Sequence, residues 1–120
     1  MIRARGPRYG TALFWVIAGS MHFIAPRFYE AIVPPPLRRH KRAVVVASGV
    51  AEIAGGVAIV PQNTRRFARG WLLATLIAVY PANIWMALVP ERFPTIPRPL
   101  LWARLPLQGL FAWMTWRGTD

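Results

Sequence analysis

Residues 43–60 read AVVVASGVAEIAGGVAIV, an apolar run bounded by RRHKR at residues 38–42 and by PQNTRR at residues 61–66. A run of this length is close to the roughly 20 residues that an α-helix needs to cross a bilayer core. Because lipid offers no hydrogen bonds to the backbone, an apolar run at membrane depth must be helical. This stretch therefore predicts a membrane-spanning helix with basic residues at both ends.

Three further apolar runs of similar length are separated by stretches rich in Arg and Pro, and they cover residues 10–24, 70–89 and 100–116. We expect residues 61–69, between the runs at 43–60 and 70–89, to form a loop. No run alternates apolar and polar residues with the period of two that a transmembrane strand requires. We expect an all-α fold, a transmembrane four-helix bundle that forms one domain over residues 1–120. Pro26 should end the first span, and the apolar side chains after it predict a short interfacial helix around residues 27–33.

The composition agrees with a membrane protein. The residues AVILMFWYC make up 55% of the chain and charged residues 16%, against about 45–50% and about 25% in average soluble domains. Lys and Arg number 15 against 4 Asp and Glu, which gives a net charge of +11, and all the basic residues except Lys41 are arginines. Because these arginines lie mostly between the apolar runs, we expect them to contact anionic lipid head groups and not nucleic acid.

The chain contains no cysteine. This excludes disulfides, thiol redox chemistry and iron–sulfur ligation through its own residues. Two histidines and four acidic residues without a ligand motif do not support a metal site. We therefore predict no metal and no resident cofactor, with a quinone as the one cofactor-like ligand to consider.

The expected location is the plasma membrane, the inner membrane of a bacterium, with several spans. An even number of spans places both termini on one side, but Lys and Arg are equally many on the two sides, so the positive-inside rule does not decide. Arg3, Arg5 and Arg8 precede the first span with no acidic residue among them, which favours cytoplasmic termini. The basic start of the chain, the apolar residues after it and AGS at residues 18–20 also resemble a signal peptide, and cleavage there would leave three spans.

Each predicted span carries ionisable or amide side chains, which are costly in lipid and therefore mark candidate functional residues. At a rise of about 1.5 Å per residue, all of them lie in the half of the membrane away from the termini or near its midpoint. These residues are His22, Glu52, Asn83, Arg104 and Gln108. We predict that they converge on one polar pocket that opens away from the termini and binds a ligand.

Glu52 is the most informative of these residues. Ser48, Glu52 and Gly56 follow one another at intervals of four, and such a stripe of small residues lets neighbouring helices approach closely, so Glu52 should face the inside of the bundle. An unpaired carboxylate in mid-membrane is costly, so Glu52 should be protonated or paired with Arg104 or His22. We expect Arg104 to lie near enough to share its charge, directly or through water.

The same residues also have a purely structural interpretation. Polar side chains at helix contacts form interhelical hydrogen bonds worth about 0.6 kcal/mol on average. Pro81 and Pro106 each free a backbone carbonyl one turn earlier, and amide side chains are suited to bind such groups. For Asn83 and Gln108 we favour this structural role, whereas for Glu52 a ligand role and a structural role both stay open.

Four short segments carry a family resemblance: GSMHFIAP at residues 19–26, SGVAEIAGG at 48–56, YPANI at 80–84 and RLPLQ at 104–108. In this order they resemble the DoxX-like family of small four-helix integral membrane proteins. The resemblance extends from about residue 10 to residue 116. It implies a redox-associated membrane protein, since some relatives are accessory subunits of quinol- or thiosulfate-oxidising systems and others are linked to oxidative-stress complexes.

The resemblance thus leads us to expect a redox- or stress-associated accessory or scaffold subunit with a protein partner in a membrane complex. The alternative is a binder or carrier of a small membrane ligand, a quinone or a lipid, in the polar pocket around Glu52. An enzyme with Glu52 and His22 as acid and base is the weakest interpretation, because no nucleophile, metal or cofactor motif completes a site. We assign no catalytic residue.

Overall fold

The computed structural model describes residues 5–120. They form five α-helices, which are α1 (Arg5–Ile24), α2 (Pro26–Ala31), α3 (Lys41–Ile59), α4 (Gln62–Leu88) and α5 (Arg98–Gly118). Short 3₁₀-helices lie at Pro35–His40 and Pro90–Arg92. No strand occurs within the described residues, which confirms the all-α class. Arg3, which enters the orientation argument, lies outside the described residues.

Each of the four apolar runs lies on one of the long helices α1, α3, α4 and α5. Helix α4 begins earlier than its apolar run, so the loop that we predicted at residues 61–69 is wrong. Pro61 is extended, with ψ of 139°, and the helix begins directly after it at Gln62. Nothing in the sequence QNTRRFAR that follows breaks a helix. Residues 62–69 therefore continue straight into the apolar part of α4.

The tight turn between α3 and α4 is held by side chains from the first turns of α4. Arg65 donates from Nε to the carbonyl of Ile59 at 2.8 Å and from Nη2 to the carbonyl of Val60 at 2.7 Å. Thr64 Oγ1 donates to the carbonyl of Ala58 at 2.7 Å. The last carbonyls of a helix lack partners inside that helix, so these bonds satisfy the end of α3 and fix the hairpin.

Pro26 separates α1 from α2, as the sequence predicts. Ala25 leaves the helical region with φ of −125° and ψ of 58°, and α2 then starts with Pro26 itself. Proline suits the first turn of a helix because its missing N–H has no partner there in any case. The predicted short helix is confirmed, and it covers Pro26–Ala31.

Helices α1 and α3 approach each other closely through glycines. A Cβ atom added to Gly19 would lie 2.6 Å from the carbonyl oxygen of Gly49, and one added to Gly56 would lie 2.9 Å from that of Ala12. Only residues without a side chain allow backbones to come this near. Glu52 lies on α3 between these contacts and is 7% exposed, which is the inward direction that the stripe of small residues predicts.

The first and last helices also pack together. Trp15 Nε1 donates to Thr115 Oγ1 at 2.9 Å, and Thr11 Oγ1 donates to the carbonyl of Met114 at 3.4 Å. The start of α1 therefore lies beside the end of α5. As a result, the two ends of the described chain lie at the same end of the bundle.

Two apolar clusters lie at opposite ends of the bundle. The cluster nearer the termini joins α1, α3 and α4 and contains Ala12, Trp15, Ile59, Ala68, Leu72 and Leu76. The far cluster contains Ile32, Met86, Phe93 and Leu101, so α2 and the α4–α5 connection contribute to it. Between the two clusters the long helices enclose an open space.

The outer surface of the bundle is strongly apolar. Ile24, Val57, Ile77 and Trp113, one from each long helix, are 70%, 57%, 75% and 59% exposed. Two described helical segments, Pro35–Ile59 and Gln62–Leu88, are long and apolar enough to cross a membrane.

Candidate functional site

A cavity of about 620 Å³ occupies the space between the two apolar clusters. Its walls come from α1, α3, α4 and α5, and residues of α2 and of the α2–α3 connection line the end away from the termini. Most of the lining is apolar, and Phe14, Val79, Leu107 and Phe111 are among its members. All five polar residues singled out in the sequence also line this cavity: His22, Glu52, Asn83, Arg104 and Gln108.

His22 and Glu52 form a buried pair between α1 and α3. His22 Nε2 lies 3.4 Å from Glu52 Oε2, and the two side chains are 8% and 9% exposed. The other ring nitrogen, Nδ1, lies 2.9 Å from the carbonyl oxygen of Ala18. The close approach of α1 and α3 at their glycines brings these two side chains together.

The bond to Ala18 limits how protons are arranged in this pair. A carbonyl oxygen only accepts hydrogen bonds, so His22 Nδ1 carries its hydrogen. A bare Nε2 facing an ionised carboxylate would place two lone pairs against each other in a site shielded from water. His22 Nε2 and Glu52 therefore hold one proton between them, on either partner, and the pair is neutral as a whole.

Tyr29 is a member of the site that the list of candidate residues missed. It lines the cavity from α2 and stacks on the His22 ring, with centroids 4.0 Å apart and planes 17° from parallel. Burial raises the pKa of Tyr29, the Glu52 carboxylate raises it further and Arg104 lowers it. Because the chain leaves the helical region at Ala25, between the two rings, no helical spacing in the sequence could have placed them together.

Arg104 and Asn83 form the second polar pair, on the opposite wall. Arg104 Nε donates to Asn83 Oδ1 at 3.1 Å, which joins α5 to α4. Asn83 is 7% exposed, whereas Arg104 is half-buried along the cavity wall.

The prediction that Glu52 pairs with Arg104 or His22 is confirmed for His22 and wrong for a direct pair with Arg104, whereas sharing of charge with Arg104 through water stays a prediction. Within residues 5–120, Glu52 forms its ion pair with His22, and the hydrogen bond of Arg104 goes to Asn83. The physical reason is the packing order of the helices: α3 contacts α1 along its glycines, whereas α5 packs on α4. Each polar side chain therefore finds its partner on the helix that lies next to its own.

Gln108 acts as an interhelical bond. Its Nε2 donates to the carbonyl of Leu76 at 3.1 Å. The carbonyl that Pro81 frees belongs to the next residue, Ile77, so Gln108 does not form the predicted bond to a freed carbonyl. The bond to Leu76 nevertheless joins α5 to α4. This contact fits the structural role that we favoured for Gln108, although the side chain also borders the cavity.

The described residues hold no group of three or more His, Cys, Asp or Glu side chains arranged to bind a metal ion. The polar groups of the cavity instead offer hydrogen-bond donors and acceptors on facing walls. Their arrangement suits a molecule with an apolar body and a polar head.

Fold and cavity together define a class: an all-helical protein whose long helices surround an apolar chamber with polar pairs on its walls. A family model described as a domain of unknown function (DUF8561) matches residues 11–119, and the chain belongs to this family. The matched part contains the whole cavity. No curated protein and no solved structure shows a significant match.

Proposed function

We propose that this protein crosses the membrane with α1, α3, α4 and α5, and that it binds a small apolar membrane molecule with a polar head. The observation that carries the proposal is the cavity of about 620 Å³, with the His22–Glu52 pair on one wall and the Arg104–Asn83 pair on the other. Ligand cavities typically enclose about 300–1,000 Å³, are mostly apolar and contain a few oriented polar groups.

The exposed apolar side chains support the membrane placement. Soluble monomers rarely carry large continuous apolar patches, yet all four long helices expose large apolar residues. In the two segments that are apolar enough to span a bilayer, only 33% and 28% of the most apolar stretch of 18 residues is buried inside the bundle. A core helix of a soluble protein would turn its apolar stripe inward. Lipid is the environment that would cover these faces.

Both termini are proposed to lie in the cytoplasm. The start of α1 packs beside the end of α5, so four crossings return the chain to the side where it began. Reporter fusions at the C-terminus and within residues 34–36 test this proposal. The C-terminal fusion should report the cytoplasm and the loop fusion the opposite compartment, and a cytoplasmic signal from the loop would reverse the orientation.

Ligand binding accounts for the charged residues better than interhelical bonding alone. The amides of Asn83 and Gln108 each form one hydrogen bond between helices, and such bonds need no cavity. Arg104 and Glu52 are different, because each presents a costly group to an open space inside the bundle. The polar head of a bound ligand would contact Arg104 and Glu52, which the packing of the helices alone leaves beside an open cavity.

The likeness to DoxX-like proteins remains part of the proposal, and with it the role of a redox- or stress-associated accessory subunit in a membrane complex. The four segments that carry the likeness support this proposal, because their polar residues line one cavity. These residues are His22, Glu52, Asn83, Arg104 and Gln108. A quinone and a lipid are both ligands that such a subunit would meet in the bilayer.

The test is mass spectrometry of an organic extract from protein purified in mild detergent. Ala18 lines the cavity between Phe14 and His22 on α1, so Ala18→Phe should fill the space. Ala54 is exposed on α3, and Ala54→Phe is the matched control. We expect one small molecule to accompany the native protein and the control, and to be lost from Ala18→Phe.

Equal amounts of the molecule in both variants would show that it adheres to the outer surface, and would contradict the proposal. If a stoichiometric protein partner co-purifies and no small molecule is found, the accessory role replaces ligand binding. Gel filtration of each variant shows that the bundle is intact.

A further inference from the structure

Arg104 brings an uncompensated positive charge to the cavity wall. Its hydrogen bond from Nε goes to the neutral amide of Asn83. No Asp or Glu forms an ion pair with Arg104 in the part of the chain from residue 5 to residue 120. Because a guanidinium has five N–H donors, those on the two terminal nitrogens remain for a ligand.

The other charged groups in the cavity do not neutralise Arg104. The bond from His22 Nδ1 to the carbonyl of Ala18 places a hydrogen on Nδ1, and a single further proton on His22 Nε2 or on Glu52 removes the repulsion between their facing lone pairs. Their pair carries no net charge in either arrangement. The cavity as a whole therefore presents a single positive charge, on Arg104.

We propose that the ligand is a long-chain monocarboxylic acid, with its carboxylate on Arg104 and its alkyl chain along the apolar wall. This inference rests on the proposed function, because it names the ligand of the same cavity. A carboxylate matches the fork of a guanidinium with two parallel hydrogen bonds. It also supplies the counter-charge that the half-buried Arg104 lacks among the described residues.

Two other kinds of polar head fit less well. A neutral head, such as an alcohol or a quinone carbonyl, accepts a hydrogen bond but leaves the charge of Arg104 uncompensated. A phosphate monoester carries up to two negative charges, whereas Arg104 brings the one uncompensated positive charge among the described lining residues. A single negative charge is the best match.

The remainder of the cavity suits an alkyl chain. Phe14, Val79, Leu107 and Phe111 line it, and each methylene buried against such side chains adds to the affinity. Arg104, Leu107 and Phe111 follow one another along α5. A chain held at Arg104 can therefore lie along this helix.

The experiment is competitive photolabelling of the protein in nanodiscs of phosphatidylcholine. The probe is hexadecanoic acid carrying a diazirine on its chain, and labelled peptides are mapped by mass spectrometry at a pH where the acid is ionised. The competitors are hexadecanoic acid, hexadecanol, hexadecyl phosphate and a quinone with an alkyl tail. We expect labelling of lining residues on α1 and α5, and competition by the acid stronger than by the neutral molecules by about tenfold or more.

The variant Arg104→Gln keeps a hydrogen-bond donor but loses the charge, so it should bind the acid and hexadecanol about equally. Arg98→Gln, at the exposed start of the same helix, is the matched control and should keep the preference for the acid. The comparison of acid with alcohol in the native protein tests the inference even if Arg104→Gln does not fold.

Equal competition by acid and neutral molecules in the native protein would overturn the carboxylate inference and leave ligand binding standing. Stronger competition by hexadecyl phosphate would overturn it in favour of a phosphate head. If no probe or competitor reaches the cavity residues, the proposed function fails together with the inference.

Discussion

The close contact of α1 and α3 at Gly19 makes a sharp prediction for the change Gly19→Ala. The added Cβ would lie 2.6 Å from the carbonyl oxygen of Gly49, 2.7 Å from Ile53 Cγ1 and 2.9 Å from the backbone nitrogen of Ile53. Two of these three atoms belong to the backbone and cannot rotate away. The two helices must therefore move apart, and His22 and Glu52 must separate with them.

The size of the effect follows from two opposing contributions. Alanine favours a helix over glycine by about 1 kcal/mol, whereas forcing an extra methyl group into a packed contact costs about 1–3 kcal/mol. Gly109→Ala on α5 is the matched control, because a Cβ there meets no atom within 4 Å. The helix contribution is common to both variants. Their difference, about 1–3 kcal/mol in the free energy of unfolding, therefore isolates the packing contribution.

SDS-induced unfolding of the purified protein in mild detergent micelles, followed by near-ultraviolet circular dichroism, measures this difference. Gly19→Ala should unfold at a lower SDS fraction than Gly109→Ala, and it should also lose photolabelling of the cavity. If the two variants unfold within about 0.5 kcal/mol of each other, the reasoning about the α1–α3 contact is refuted.

Two further changes test other contacts by the same unfolding measurement. Trp15→Phe removes the buried hydrogen bond to Thr115 and part of a buried ring, and it should lower the free energy of unfolding by about 1–2 kcal/mol. Trp113→Phe, at an exposed tryptophan, is the control and should change the free energy of unfolding by about 0.5 kcal/mol or less. If Trp15→Phe and Trp113→Phe lower the free energy of unfolding equally, Trp15 does not belong to the core. Arg65→Gln removes both bonds to the end of α3 and should cost about 1–3 kcal/mol. The exposed Arg66→Gln should cost little, and a harmless Arg65→Gln would show that the α3–α4 turn does not depend on these bonds.

Local features of the sequence predicted the helices well. Apolar runs without an alternating pattern satisfy their backbone hydrogen bonds in lipid as helices. Pro26 ends α1 because it starts a new helix directly after the break at Ala25, whereas α4 and α5 continue through Pro81 and Pro106. The small residues around Glu52 predicted its inward direction, since close helix contact requires small side chains. The loop predicted at residues 61–69 failed because polarity alone does not end a helix once Pro61 has started one.

The presence of polar residues at similar depths was also visible in the sequence, because depth follows from the rise of about 1.5 Å per residue along a helix. The sequence narrowed the partner of Glu52 to Arg104 or His22 but did not choose between them. Which side chains meet depends on how each helix is rotated about its axis and on which helices are neighbours. Only the tertiary structure decided that Glu52 meets His22, that Arg104 meets Asn83, and that Tyr29 joins the site from α2. These pairings are set by the glycine contact of α1 with α3 and by the packing of α5 on α4, which act between segments far apart in the chain.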